Sequence, residues 1–257
     1  MVEYEHTPVS VGGKRAVVIG GTSGIGQAIA LGFASEGADV VATSRTEDAV
    51  QETADAIEDR GAETVRITCD VTDADSLAAV REATVDAFGG IDVVVASQGA
   101  IARTSVRDAT DDEWEFVTDV ALDGVRKVIQ TFAPAMAEGG SIVTISSLAA
   151  RLAMADLSAY SAAKGGVEAL TRVSAKELAP EIRVNAIAPG YVITPQNADT
   201  YAEGSEKRKR IDDRAPLGRV AEREEIVGAA VYLASDAASY VTGEVLTVDG
   251  GFADSTF

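Results

Sequence analysis

Residues 16–26, Ala16-Val17-Val18-Ile19-Gly20-Gly21-Thr22-Ser23-Gly24-Ile25-Gly26, carry an apolar run straight into a glycine cluster. A helix-length apolar segment, about 24–36, follows at once. Glycine lets the backbone turn sharply and come close to a pyrophosphate. The helix N-terminus behind it offers free N–H groups and the positive end of a dipole. Glycine clusters also serve packing alone, but this one opens a strand–helix unit, the context that gives it meaning.

Working outward, the same alternation repeats. Short apolar runs at Ala16 to Ile19, Val40 to Ala42, Val65 to Thr68, Val93 to Ala96, Ile142 to Ile145, Val184 to Ile187 and Val245 to Val248 read as buried strands. Helix-length segments lie between them, roughly 24–36, 47–60, 75–88, 111–137, 158–179 and 223–234. Strand–helix alternation at this spacing predicts an α/β fold, a parallel sheet of seven strands with helices on both faces. With no internal repeat and no Pro/Gly/Ser-rich linker, the chain reads as a 12-residue N-terminal extension (1–12) and one domain (13–257). Between Gly190 and Pro216 the apolar rhythm disappears, and a polar, structureless loop is expected there as a lid or binding loop.

The totals bound the function. The 257 residues carry a formal net charge of -19, which repels nucleic acid and anionic membranes. Acids scattered through nearly every helix, from Glu47 and Glu52 to Glu177 and Glu224, suggest a protein adapted to a salt-rich cytoplasm. One Cys (Cys69) and one His exclude an intramolecular disulfide and argue against a His/Cys metal site. No apolar stretch approaches a membrane span, and Met1 to Ser10 lack the pattern of a secretory signal, so a cytoplasmic protein is expected.

Tyr160 and Lys164 stand four apart on an expected helix and so share one face. An ammonium beside a phenol favours the phenolate, which brings proton exchange nearer to neutral pH. The pattern is common by chance. It gains weight from Ser147, thirteen residues earlier and just past a strand end, where ligands bind in such sheets. Neighbouring Ser146 points the other way by strand alternation. About 20 residues after the glycine loop, the second strand ends in Ser44-Arg45. An acid there would bind ribose hydroxyls and favour NAD, whereas Arg45 can pair with a 2′-phosphate, so NADP(H) is expected over NAD(H).

The Gly-x-x-x-Gly-x-Gly loop and the Ser147, Tyr160, Lys164 spacing resemble the short-chain dehydrogenase/reductase family, and the resemblance runs from about residue 13 to Phe252. It implies a Rossmann fold with strand order 3-2-1-4-5-6-7 and hydride exchange between a nicotinamide and a secondary alcohol or ketone, without metal. In these roles Ser147 would bind the substrate oxygen and Tyr160 would exchange the proton. Lys164 would hold the nicotinamide ribose and lower the Tyr160 pKa. The cofactor would lie along Gly20, Thr22, Ser23, Gly24, Ile25 and Gly26, with Ser44 and Arg45, Asp70 and Val71, Ala96 and Ser97. Pro189, Gly190, Val192 and Thr194 would receive its nicotinamide end.

Two departures stand out. The family's Asn-Asn-Ala-Gly is here Ala96-Ser97-Gln98-Gly99, and the Asn that usually completes a catalytic tetrad falls on Ala121. In the loop 191–215, Gln196 and Asn197 offer amides to a hydroxyl-rich ligand, and Glu206-Lys207-Arg208-Lys209-Arg210 forms a basic run suited to an anion or to pairing with nearby acids. The loop is most similar to sugar and sugar-acid dehydrogenases. Reduction of 3-oxoacyl thioesters, or a cofactor-binding regulatory protein without turnover, are the alternatives. The family resemblance also implies a homotetramer built through helices 111–137 and 158–179 and the C-terminal helix and strand.

Overall fold

The computed structural model describes residues 6–255; Met1 to Glu5, the start of the expected extension, and Thr256 and Phe257 lie outside them. The chain opens with β1 (Arg15–Ile19), α1 (Gly24–Ser35), β2 (Asp39–Thr43), α2 (Glu47–Glu58), α3 (Ala74–Phe88) and β3 (Ile91–Ala96). It continues through α4 (Asp111–Thr118), α5 (Gly124–Phe132), β4 (Met136–Ile145), α6 (Ser158–Glu177) and β5 (Ile182–Pro189). The last part holds β6 (Val192–Ile193), α7 (Glu206–Arg214), β7 (Ala221–Glu222), α8 (Val227–Ala234) and β8 (Val245–Val248).

Six strands form one parallel sheet in the order β2-β1-β3-β4-β5-β8. Its central strands are buried on both faces, as their unbroken apolar runs require. One face packs α1 and α8 through Ile29, Phe33, Ala230 and Leu233. The other packs α3, α5 and α6 through Leu77, Val128, Phe132 and Val167. Local chemistry sets the helix starts: Thr110 and Glu113 close a capping box on α4, and the Asp73 side chain caps α3.

Three expectations need correction. The sheet has six strands, because the segment expected as an edge strand at Val65 to Thr68 runs beside β2 without completing a ladder. Only Val40 N–H to the Glu63 carbonyl (3.0 Å) and Cys69 N–H to the Ser44 carbonyl (2.8 Å) join the two backbones, while the Ile67 carbonyl accepts from the Thr43 hydroxyl at 2.6 Å. The expected single helix over 111–137 is α4, a wide π-helical turn at Asp119–Asp123, and α5. It stops before 137 because Pro134 brings no N–H, and a 3-10 turn at Ala133–Ala135 leads into β4. The loop after Gly190 is not structureless. β6 pairs with β7, and the basic run opens α7, capped by Ser205.

Phe33 is wholly buried against the sheet. Phe33→Ala is expected to cost about 3–5 kcal/mol, read as a lower urea midpoint with an unchanged dependence on urea concentration.

Candidate functional site

The carboxyl ends of β1, β3, β4 and β5 face one crevice, where open α/β sheets place their ligands. At β1 the turn is forced by close approach. A Cβ on Gly26 would stand 2.1 Å from the Gly20 carbonyl oxygen, and one on Gly20 would meet the Gln98 backbone at 2.8 Å. Gly20 also holds φ +73°, a conformation costly to any other residue. The Gly20 and Gly21 N–H groups both donate to the Thr43 carbonyl, tying the turn to β2.

Ser23 ends the turn without bonding its side chain to the first N–H groups of α1, and no acid sits in that first turn. Those donors remain free for an anion. Ile25 leans on the core, Thr22 donates to the Ser44 hydroxyl at 2.7 Å, and the exposed Arg45 has no acid bonded to it among the described residues. Free helix donors, a hydroxyl pair and a guanidinium bonded to no acid fit the phosphates and ribose of a dinucleotide. Asp70 accepts from the Thr72 hydroxyl and N–H, which hold its carboxyl below the usual range. Val71 is buried where a Cβ on Gly124 would press on it, fixing α5 beside the crevice. Ala96 closes β3, and the Ser97 hydroxyl turns toward Gly26 on α1.

Ser147, Tyr160 and Lys164 come together. Ser147 follows β4, its Oγ accepting from Ala149 N–H at 3.1 Å. Burial raises the Tyr160 pKa, and the Ser147 hydroxyl facing it works against that rise. Lys164, one turn along α6, is 3% exposed, and burial pushes its pKa down to about 8. Its Nζ donates to the Ile145 carbonyl at 2.7 Å and lies 5.8 Å from the Tyr160 ring centre. β3 ends at Ala96, opposite Thr144, so the Ile145 carbonyl lies past the end of that ladder and takes the lysine. Ser146 is buried, with its hydroxyl turned to Glu168 and the Lys164 carbonyl. Ala121 is wholly buried in an apolar cluster with Val117, Ala159 and Ala163, against which Tyr160 packs.

Pro189 ends β5, the Gly190 N–H donates to the Val248 carbonyl at 2.9 Å, and Val192 is buried on β6. The next residues fold back over the glycine turn. Thr194 N–H donates to Asn197 Oδ1 (2.8 Å) and Asn197 Nδ2 donates to the Val192 carbonyl (3.0 Å). Gln196 Nε2 donates to the Ser23 hydroxyl at 3.1 Å. Asn197 therefore closes its own loop, and Gln196 reaches the glycine turn; neither stands free as the expected substrate amide.

Sequence reasoning missed a cationic patch at the mouth. Lys207 on α7 sits 5.4 Å over the ring of buried Tyr201, which packs edge-on to Tyr191 and shares an apolar cluster with Leu148, the residue after Ser147. Arg103 approaches from a loop that a bridge at Thr104 and Leu157 ties to the start of α6. Burial lowers the Lys207 pKa, and the Arg103 charge lowers it further. Among the described residues, neither cation is bonded to an acid. The basic run had flagged Lys207, but nothing local marks Arg103, which gains its meaning only from the bridge.

Among the described residues no three His, Cys, Asp or Glu side chains gather to hold a metal ion, and no helix is long and apolar enough to cross a membrane. Residues 20–253 match the model of a family described as enoyl-(acyl carrier protein) reductase. The chain is 41% identical to cis-4-hydroxycyclohexanecarboxylate dehydrogenase of Sinomonas cyclohexanicum, over 93% of this chain and 96% of that protein. It is 37% identical to the 3-oxoacyl-[acyl-carrier-protein] reductase of Thermotoga maritima, over 93% of this chain and 97% of that one. A crystal structure provisionally named as an NAD(P)-dependent gluconate 5-dehydrogenase of Beutenbergia cavernae, with NADP at low occupancy, superimposes with a TM-score of 0.89. That protein is 43% identical, and the match covers 96% of this chain and 100% of that one.

The Lys164 geometry has a pH signature. Its folded pKa of about 8 lies below the ordinary 10.5, so between those values the unfolded chain binds more protons. Stability from this group therefore rises with pH through that window and is lost below it. Melting temperatures from pH 7 to 10.5 should show the wild type gaining on Lys164→Met as pH rises. A gap that does not change with pH contradicts the assignment.

Proposed function

Because the chain belongs to the short-chain dehydrogenase/reductase family and is an oxidoreductase, we propose that it interconverts a secondary alcohol and a ketone on a sugar-acid type of substrate, with NADP(H) preferred. The observation that carries this reading is the meeting of the Tyr160 hydroxyl with Ser147 beside buried Lys164. When bound, the nicotinamide supplies or accepts the hydride. The residues placed to hold the dinucleotide are the Gly20–Gly26 turn, Ser44 and Arg45, Asp70 and Val71, Ala96 and Ser97, and the Pro189–Thr194 segment. Arg45 carries the preference for a 2′-phosphate.

Ser147 donates to the substrate oxygen and Tyr160 exchanges the proton there. Burial raises the Tyr160 pKa in the free chain, so the hydroxyl rests protonated, ready to act as an acid on a ketone. Oxidation of an alcohol asks the reverse, and Lys164 favours it whenever its ammonium is charged. At a folded pKa of about 8 that charge is present at neutral pH. The chain's own cations point to the substrate class. Lys207 and Arg103, unpaired at the mouth beside Tyr201, suit a carboxylate, and a hydroxy acid is what two of the similar proteins are named for. Phe116 on α4, 50% exposed, and Val173 on α6, 52% exposed, support the proposal that copies associate through these helices into a homotetramer.

Absorbance of the reduced nicotinamide, with NADP(H) and NAD(H) against hydroxy acids, neutral polyols and 3-oxoacyl esters, tests the reading. Turnover is expected to be best with NADP(H) and a hydroxy acid. Tyr160→Phe should lower kcat by about 100- to 10,000-fold, the range of a lost general acid, with cofactor affinity little changed. Equal turnover in wild type and Tyr160→Phe refutes the mechanism.

Arg103→Ala with Lys207→Ala should raise KM for hydroxy acids roughly ten-fold or more, with neutral alcohols little affected. A uniform rise for both classes removes the carboxylate from the substrate.

A further inference from the structure

Gln98 is 7% exposed, and neither Nε2 nor Oε1 of its amide has a hydrogen-bond partner. A buried amide left so is costly, and native chains rarely keep one without a use. Its position is well defined. The Gln98 backbone packs against Gly20, where an added Cβ would meet its N at 2.8 Å and its Cα at 2.9 Å. Side chains past β3 alternate between the sheet's faces. Ala96 packs on the face of α5 and α6, while Ser97 turns to Gly26 on α1. By the same alternation Gln98 is directed back to the α6 face, which carries Lys164.

The segments that carry or hold the two groups leave the sheet next to each other. The pairing of Ala96 with Thr144 sets Ser97 and Gln98 level with Ile145 and Ser146 at the adjoining strand end. Lys164 reaches that point to donate one N–H to the Ile145 carbonyl, and its ammonium keeps two further donors. On the same face Ala121 offers only a methyl group inside an apolar cluster. The polar capacity here thus comes from a Lys with donors to spare and an amide that can both donate and accept.

We propose that Gln98 is a positioning residue of the cofactor seat, its amide sharing with Lys164 the hydroxyls of the nicotinamide ribose. This rests on the reading that a nicotinamide dinucleotide binds the crevice. A ribose hydroxyl both donates and accepts, so it can satisfy Gln98 Oε1 while receiving a proton from Lys164. The free chain tolerates the orphan amide because the bound ribose completes it.

Gln98→Met keeps the length of the side chain and removes the amide. Titration of NADPH fluorescence without substrate gives cofactor affinity, and thermal melting of the free chain gives stability. Affinity should weaken by about ten-fold, the loss of one hydrogen bond's discrimination, while the melting temperature holds or rises. Unchanged affinity overturns the proposal, and so does weaker affinity with a lowered melting temperature, which assigns Gln98 to packing. Gln98→Ala is read in the same way should the Met variant not fold. If the wild type binds neither NADPH nor NADH, the dinucleotide reading itself fails; a wild type that binds and a Met variant that binds equally well removes Gln98 alone.

Discussion

The whole site depends on how closely α1 can approach the end of β1. A Cβ on Gly26 would stand 2.1 Å from the Gly20 carbonyl oxygen, so only glycine lets the helix begin where it does. That contact presses the chain after β3 onto the turn, with Gln98 lying against Gly20. It leaves the first N–H groups of α1 uncapped at the mouth of the crevice. A single steric allowance thereby shapes the floor and aims the donors, where the β3–β4 ladder sets the two strand exits side by side.

The second constraint is electrostatic. Lys164 reaches from α6 to a carbonyl past the end of its ladder, and burial depresses its pKa to about 8. A buried ammonium with one partner is an expensive arrangement in a chain with 41 acids to offer it. Among the described residues no acid is bonded to it; Glu168, the buried carboxylate one turn further along α6, is engaged by Arg151 and Ser146 instead. An acid at Lys164 would have fixed its charge and raised its pKa. Left without an acid it titrates nearer to neutrality, which suits the role proposed for it beside Tyr160.

Much of this was legible in the chain. The apolar runs at Ala16, Val40, Val93, Ile142 and Val184 became buried strands because period and length alone identify a doubly covered parallel sheet. The Ser147, Tyr160 and Lys164 spacing brought those three side chains together because a strand end and one helix turn are rigid rulers. What failed was decided by partners distant in sequence. Whether 63–69 completes a ladder depends on how β2 spends its N–H groups, and Thr43 spends a hydroxyl there. The π-helical turn at Asp119–Asp123 falls among buried apolar residues spaced as in an ordinary helix, Val117, Ala121 and Val125, so periodicity cannot see it. Asn197 read as a free amide until the fold showed its acceptor and donor used within its own loop.

Net charge gives a poor account of what the crevice attracts. A formal charge of -19 would repel an anionic dinucleotide or a hydroxy acid if every charge acted equally. At about 0.1 M salt the field of an exposed charge fades over roughly 10 Å, so most of the 41 acids do not reach the mouth. Many are also neutralised where they stand, as Arg66 holds Asp55 and Glu58, and Arg219 holds Glu225. The charges that count are the local ones with no acid bonded to them. Arg45 stands beside the glycine turn, and Lys207 and Arg103 stand at the opposite lip. The free dipole end of α1 adds to them. These are local positive charges set in a negative surface, and salt that screens the background leaves short-range attraction to them largely in force.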